Sequence, residues 1–470
     1  MTTAAANVRS IAQLPGPRRA PLVGNLHQMD LPRLHQQLER WADQYGPIYR
    51  IALGRRQRVC ISDLDTINHM LRERPETFRR TRHIENIMAE MGFNGVFSRD
   101  GEAWQRQRKV VAHALNPAHL AQFYPAMRET TERLRRRWVG THGAAVDLCR
   151  DLMRYTVDVT AHLAFGIDVN TLETDGPVVQ QQLDRVFPML FRRTVAPFPY
   201  WRFARTRADR ELDRALAAIR VTVTEFTERC RARLREQPQL LTQPTNFLEA
   251  ILAAQAAEAV DFSDDEIHAN VITLMLAGED TTANTLAWAC KFLIDFPQHF
   301  ASARAEADAV LGADAVAADL EAIRRLDFIE ALAFETMRLK PVAPILGVEP
   351  KVDVELLDCQ LPAGTEIVVL TRPNATNDTH FAAAERFDPA RWLRADGGPE
   401  PHNPRAFIPF GAGPRFCPGR GLALLEIKAV LAMLVHNFDL ALADPARDVR
   451  EVLNFTMLPE GLRVRFAART

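Results

Sequence analysis

The sequence predicts a mainly α-helical fold with a small β-rich lobe, and three observations carry that prediction. Across residues 102–335 nearly every segment places apolar residues at helical spacing. Glycine is sparse, 22 in 470 residues, which favours helix. Strand signals occur only towards the two ends, at 49–53, 59–61, 352–357, 365–370 and 462–466. Strands from both ends that enclose a helical middle imply one interwoven domain, although 470 residues would allow about three. The expectation is a disordered tail over residues 1–13 and a single domain over 14–470.

Taken in order, residues 14–25 form a lead punctuated by Pro15, Pro17 and Pro21 that cannot be helical and should lie on the globule as a strap. A strand pair follows around Gly54. Helices then run to residue 335 with breaks near Pro117, Gly140, Pro188 and 238–244. The longest starts at the capping box Ser263-Asp264-Asp265-Glu266 and ends at Phe296-Pro297. It is apolar almost all round and should thread the interior. A membrane span is rejected, because His268, Asn270, Thr273 and the run Gly278 to Thr282 are too costly in lipid.

Apolar residues at 47% and charged residues at 25% exclude a disordered or coiled-coil chain and supply a sizeable core. Charges of 58 against 59 give a net −1, without the signature of a dedicated nucleic-acid binder. Six cysteines lie far apart with no Cys-x-x-Cys, so neither a disulfide framework nor a zinc ribbon is indicated and a cytoplasmic setting is expected. No signal-peptide stretch and no run of about 18 apolar residues occurs, which predicts a soluble protein with no membrane anchor.

Two segments carry chemistry. Gly278-Glu279-Asp280-Thr281-Thr282 puts two acids and two hydroxyls in the middle of a buried helix. Gly278 would let a bulky group approach. The threonine hydroxyls can bond one turn back, loosening the helix and leaving room for water or a diatomic ligand. The bland alternative is a solvated patch on a kinked helix. The second segment, Phe410-Gly411-Ala412-Gly413-Pro414-Arg415-Phe416-Cys417-Pro418-Gly419-Arg420, can wrap a thiolate so that N–H groups point at sulfur, with the positive end of the next helix beside it. A lone cysteine more often only packs; the flanking pattern argues for an axial ligand.

The sequence resembles the cytochrome P450 family, the haem-thiolate oxygenases. The family's cysteine loop is met at Phe410, Gly413, Arg415, Cys417 and Gly419. Its long-helix motif is met at Ala277, Gly278, Asp280, Thr281 and Thr282. Its Glu-x-x-Arg pair is Glu335 and Arg338, its Glu-Arg-Phe segment is 385–387, and its Trp-x-x-x-Arg is Trp104 and Arg108. The ordered set covers essentially the whole chain.

The resemblance implies the P450 fold, a haem b cofactor with Cys417 as thiolate ligand to iron, and Asp280 and Thr281 as proton suppliers through ordered water. It places Trp104, Arg108, Gly278, Phe410, Gly411, Arg415 and Gly419 around the haem, and implies a buried structural triad of Glu335, Arg338 and Arg386. A surface salt bridge is the alternative for Arg108. In one departure, no arginine follows Pro341-Val342-Ala343-Pro344, where the family often holds a haem propionate. That role is expected to fall to Arg108, Arg415 and Trp104. The pocket is expected from Ile84, Met88, Met91, Phe93, the segment 187–198, Met275, Ala277, Val342, Ile345, Phe455, Thr456 and Met457. Their mostly apolar character implies a lipophilic small-molecule substrate.

The reading is an oxygen-activating monooxygenase, the alternatives being a peroxide-driven or isomerising haem-thiolate enzyme and a non-catalytic haem-binding protein. A peroxide-driven or isomerising haem-thiolate enzyme would tend to lack the Asp280–Thr281 pair, and a non-catalytic haem sensor would need an effector domain. With no flavin reductase before Thr470, NAD(P)H-derived electrons are expected through a separate ferredoxin or flavodoxin with its reductase. It would dock a monomer on a basic face of Arg106, Arg108, Lys109, Arg415 and Arg420.

Overall fold

The computed structural model describes residues 8–174, 178–183, 185–257, 262–393 and 402–469. In chain order the elements begin with β1 (Arg9–Ser10), α1 (Leu34–Tyr45), β2 (Ile48–Leu53), β3 (Arg56–Ile61), α2 (Leu64–Arg72), β4 (Phe78–Arg80) and α3 (Arg82–Glu90). The helical middle holds α4 (Gly101–Ala114), α5 (Pro117–Val139), β5 (Val146–Asp147), α6 (Leu148–Phe165), α7 (Val178–Leu183) and α8 (Val186–Val195). It continues through α9 (Arg207–Glu236), α10 (Phe247–Ala256), α11 (Asp264–Asp295), α12 (Pro297–Leu311), α13 (Leu320–Arg324) and α14 (Asp327–Leu339). The remainder is β6 (Ile345–Pro350), β7 (Val354–Leu356), β8 (Cys359–Leu361), β9 (Glu366–Leu370), α15 (Arg372–Ala375), α16 (Arg420–Asn437), β10 (Phe438–Leu442), β11 (Arg450–Asn454), β12 (Thr456–Glu460) and β13 (Arg463–Ala468).

The main sheet has the order β2-β3-β9-β6-β4, so strands from the two ends of the chain share it. Within it β3 and β9 run parallel, and the other neighbours are antiparallel. The lead lies along β2 as the prolines require: Arg50 N–H donates to Pro15 O at 2.9 Å and Gly54 N–H to Val23 O at 3.1 Å. The tail expectation is corrected from residue 8 onward. Arg9–Ser10 pairs with Cys359–Gln360, because β8 offers an open edge and Asp358 pairs with Arg9 at 2.6 Å. Residues 1–7 lie outside the described residues. The strand signal at 352–357 shortens to β7, since Leu357 and Asp358 take left-handed φ values of 48° and 59° and turn the chain into β8.

Helix α11 threads the interior. The Ser263–Glu266 capping box forms at its start, and Pro297 opens α12 instead of continuing α11. Its apolar residues pack against α6, α14 and α16, with Ile267, Val271, Leu286 and Ala287 fully enclosed. Burial on all sides fixes this helix as the beam on which the cavity wall is built.

Candidate active site

Phe410 to Arg420 folds back on itself, with Cys417 N–H donating to Phe410 O at 2.9 Å. Gly413 is required here: at φ 68°, a Cβ would sit 2.2 Å from Leu71 O, at the end of α2. The loop delivers Cys417 to the start of α16. Burial raises the Cys417 thiol pKa, while the N–H groups of Gly419 and Arg420 and the Arg108 cation favour the thiolate. Arg108 spans from α4 to donate from Nη2 to Phe416 O at 2.5 Å.

Cys417 opens onto a cavity of about 450 Å³. Ala277, Gly278, Thr281, Thr282 and Thr285 of α11 line it, as do Phe410, Gly411 and Gly419 of the loop. The helix is continuous through this stretch, so the expected loosening is absent even though Thr281 Oγ1 donates to Ala277 O at 2.8 Å. Gly278 lines the cavity, yet what approaches it most closely is protein: a Cβ there would meet Thr160 Oγ1 of α6 at 2.5 Å. Asp280 is off the cavity wall and accepts a hydrogen bond from Thr456 Oγ1 at 3.2 Å, while Thr456 itself lines the cavity.

Ile84, Met88, Phe93, Ala277, Val342, Ile345 and Phe455 also line it. Phe187 stacks on Phe455 at 5.0 Å between centroids and 12° between planes. Met275 does not line it. It lies one position off the face formed by Leu274, Ala277, Gly278 and Thr281, and packs in the core. Met91 and Met457 are likewise core residues, and Phe198 is 57% exposed.

Arginines gather at one part of the wall. Arg415 donates from Nη2 to Arg99 O at 2.7 Å and to Asp100 Oδ1 at 2.8 Å, and its guanidinium lies 4.3 Å from the Trp104 ring centroid. Among the described residues its Nε and Nη1 are buried without a partner, as is Arg74 Nε. Burial, then Arg74 and Arg415, bring the pKa of Arg80 down to about 9; burial, then Arg415, bring Arg74 to about 10. All three stay charged at neutral pH and repel one another. Arg74 and Arg80 carry no motif, and only long-range packing brings them beside Arg415. Glu426 of α16 was also not foreseen; it lines the cavity, and burial pushes its carboxyl well above the usual carboxylate range.

The family model for cytochrome P450 matches residues 14–466. The chain belongs to the cytochrome P450 family. Its P450 relatives include the self-sufficient cytochrome P450 monooxygenases CYP505E5 of Aspergillus niger, 26% identical, and CYP505E4 of Penicillium expansum, 25% identical; each alignment covers 98% of this chain and 44% of the relative. The chain thus spans less than half the length of those relatives. The chain is also similar to LUTEIN DEFICIENT 5, chloroplastic, of Arabidopsis thaliana, 26% identical over 91% of this chain and 73% of that protein's length. The enzyme class that goes with the P450 family is the monooxygenase, an oxidoreductase using haem and NAD(P)H-derived electrons. The cavity fits that haem: buried arginine donors without partners suit its two carboxylates, and a cysteine sulfur on the same cavity suits its iron.

Two P450 expectations are corrected. Arg338 does pair with Glu335, through Nε at 2.8 Å and Nη2 at 2.7 Å. The third cation is Arg391, which donates from Nε to Glu335 Oε1 at 3.0 Å. Arg386 is exposed and lends only its backbone carbonyl, 3.0 Å from Arg338 Nη2. The basic docking face is smaller than expected. Arg106 pairs with Glu266 at 2.7 Å, Arg415 is buried and Arg108 turns inward, which leaves Lys109 and Arg420 exposed. Among the described residues no helix is long and apolar enough to cross a membrane.

Proposed function

We propose that the protein is a haem-thiolate monooxygenase that inserts one oxygen atom into a lipophilic small molecule. The observation that carries this reading is a single apolar cavity into which Cys417, the Ala277–Thr281 face of α11 and unpartnered arginine donors all open. When bound, the haem supplies the activation of dioxygen. Cys417 would hold the iron as thiolate. Arg74, Arg80, Arg108 and Arg415 would hold the carboxylates, with Trp104 supporting Arg415. Thr281 gives its proton to Ala277 O, so its oxygen lone pairs remain to hold a water in the cavity. Asp280 feeds protons to that water by way of Thr456. Ile84, Met88, Phe93, Val342, Ile345 and Phe455 exclude bulk water and hold an apolar substrate.

Electron supply from a separate ferredoxin or flavodoxin with its reductase, in a cytoplasmic setting that suits six free cysteines, completes the proposal. A reductase in the same polypeptide is the second reading, favoured by relatives named self-sufficient of which this chain matches 44%. NADPH and substrate alone give negligible turnover of this chain on either reading, and the enzyme's natural full-length transcript separates the two. The ferrous–CO adduct tests the core claim: absorption red-shifted as for thiolate ligation is expected, and absorption like that of an imidazole-ligated haem refutes it.

A further inference from the structure

The charged lining of the cavity falls in two places. One is the arginine group around Arg415. The other is Arg58 of β3, His83 of α3 and Glu366 of β9, set in a wall that includes Ile51, Leu53 and Val195. Arg58 lies opposite Glu366 in the parallel β3–β9 register and donates from Nε to its Oε2 at 2.7 Å. Arg56 donates from Nη2 to the other oxygen, Oε1. One carboxylate therefore serves two guanidinium groups, and the cluster carries an excess positive charge.

Its donors are only partly used. Arg58 Nη2 donates to Thr194 O at 3.1 Å, and Arg58 Nη1 has no hydrogen-bond partner among the described residues. His83 Nε2 lies 2.8 Å from Arg56 Nη1. The same Nε2 lies 3.2 Å from Thr194 O, so it sits between a guanidinium donor and a carbonyl acceptor and holds the ring against Arg56 and the end of α8. Burial and then the Arg56 cation push the His83 pKa down to about 4, so the ring is neutral and adds no charge to the cluster. An excess positive charge and the spare Arg58 Nη1 donor on an otherwise apolar wall are complementary to an acceptor with negative charge.

We propose that Arg58 binds the carboxylate of the substrate, which is then a lipophilic carboxylic acid. This rests on the monooxygenase reading and names the substrate class for the same cavity. The competing account is a self-contained ion-pair cluster with no ligand.

The test is calorimetric titration of the haem-loaded protein with dodecanoic acid, 1-dodecanol and methyl dodecanoate. A charge-assisted pair should make the acid bind at least about tenfold tighter than the alcohol or the ester. Arg58→Gln should reduce that preference to about twofold or less while leaving alcohol binding unchanged. Should Arg58→Gln fail to fold, the series on the native protein decides by itself. Equal affinity for acid and alcohol overturns the proposal. The ferrous–CO spectrum of the same sample keeps the two readings apart: a thiolate-type adduct with no acid preference overturns this proposal alone, and an imidazole-type adduct overturns the haem-thiolate reading alone.

Discussion

Arg338 and Arg415 are both buried, and they differ in one respect that separates a structural site from a ligand site. Every N–H of Arg338 is engaged: Nε and Nη2 on Glu335, Nη1 on Ala375 O and Ala384 O, and Nη2 again on Arg386 O. Glu335 is equally saturated, by Asp388 N–H, Arg391 and Trp392 Nε1. Arg415 spends Nη2 on Arg99 and Asp100 and keeps Nε and Nη1 unpaired in a cavity. A closed network of donors and acceptors holds the fold; an open one awaits a partner.

The comparison can be broken most sharply at the closed network. Arg338→Ala leaves Glu335 buried without its main counter-charge, at a cost of roughly 3–5 kcal/mol against a typical stability of about 5–15 kcal/mol. Loss of soluble, haem-loaded protein is expected; a fully loaded mutant with slower turnover only would move the pair into the catalytic apparatus. Next in size is Thr281→Ala, since Thr281 also keeps open valences towards the cavity. Losing a positioned proton route costs about 10²–10⁴-fold in the assisted step, so reduced cofactor should be consumed with peroxide in place of product. Unchanged product per electron would remove Thr281 from the mechanism.

Arg415→Gln sharpens the contrast from the other side. Removing a cation that Arg74 and Arg80 repel should leave the haem-free protein at least as resistant to urea as the native one, while the rate of haem transfer to apomyoglobin rises at least about tenfold. A large loss of urea resistance in the haem-free protein would place Arg415 with Arg338. The smallest effect belongs to Arg386→Ala, within about 0.5 kcal/mol in urea midpoint analysis, because the exposed side chain is not part of the network. A cost equal to that of Arg391→Ala would restore Arg386 as the third member.

Local signals made some of this legible and long-range packing hid the rest. The bounds of α11 were readable because a capping box and a proline sit at its ends. The cysteine loop was readable because Gly413 and Cys417 lie within one segment. Arg74 and Arg80 were not, since they reach Arg415 only through tertiary folding across more than 300 positions. Arg391 replaced Arg386 because spacing in an irregular segment does not say which side chain turns inward. Met275 was an avoidable error: the 3.6-residue period through Ala277, Gly278 and Thr281 selects Leu274.

The parallel pairing of β3 with β9 has a further consequence during synthesis. Arg58 and Glu366 are 308 positions apart. At roughly 5–20 residues per second, a ribosome needs on the order of tens of seconds to supply the partner after the hairpin β2–β3 has emerged. Throughout that interval the β3 edge is open to pairing with another nascent chain, so expression yield should depend on chaperone supply and on slow translation at low temperature.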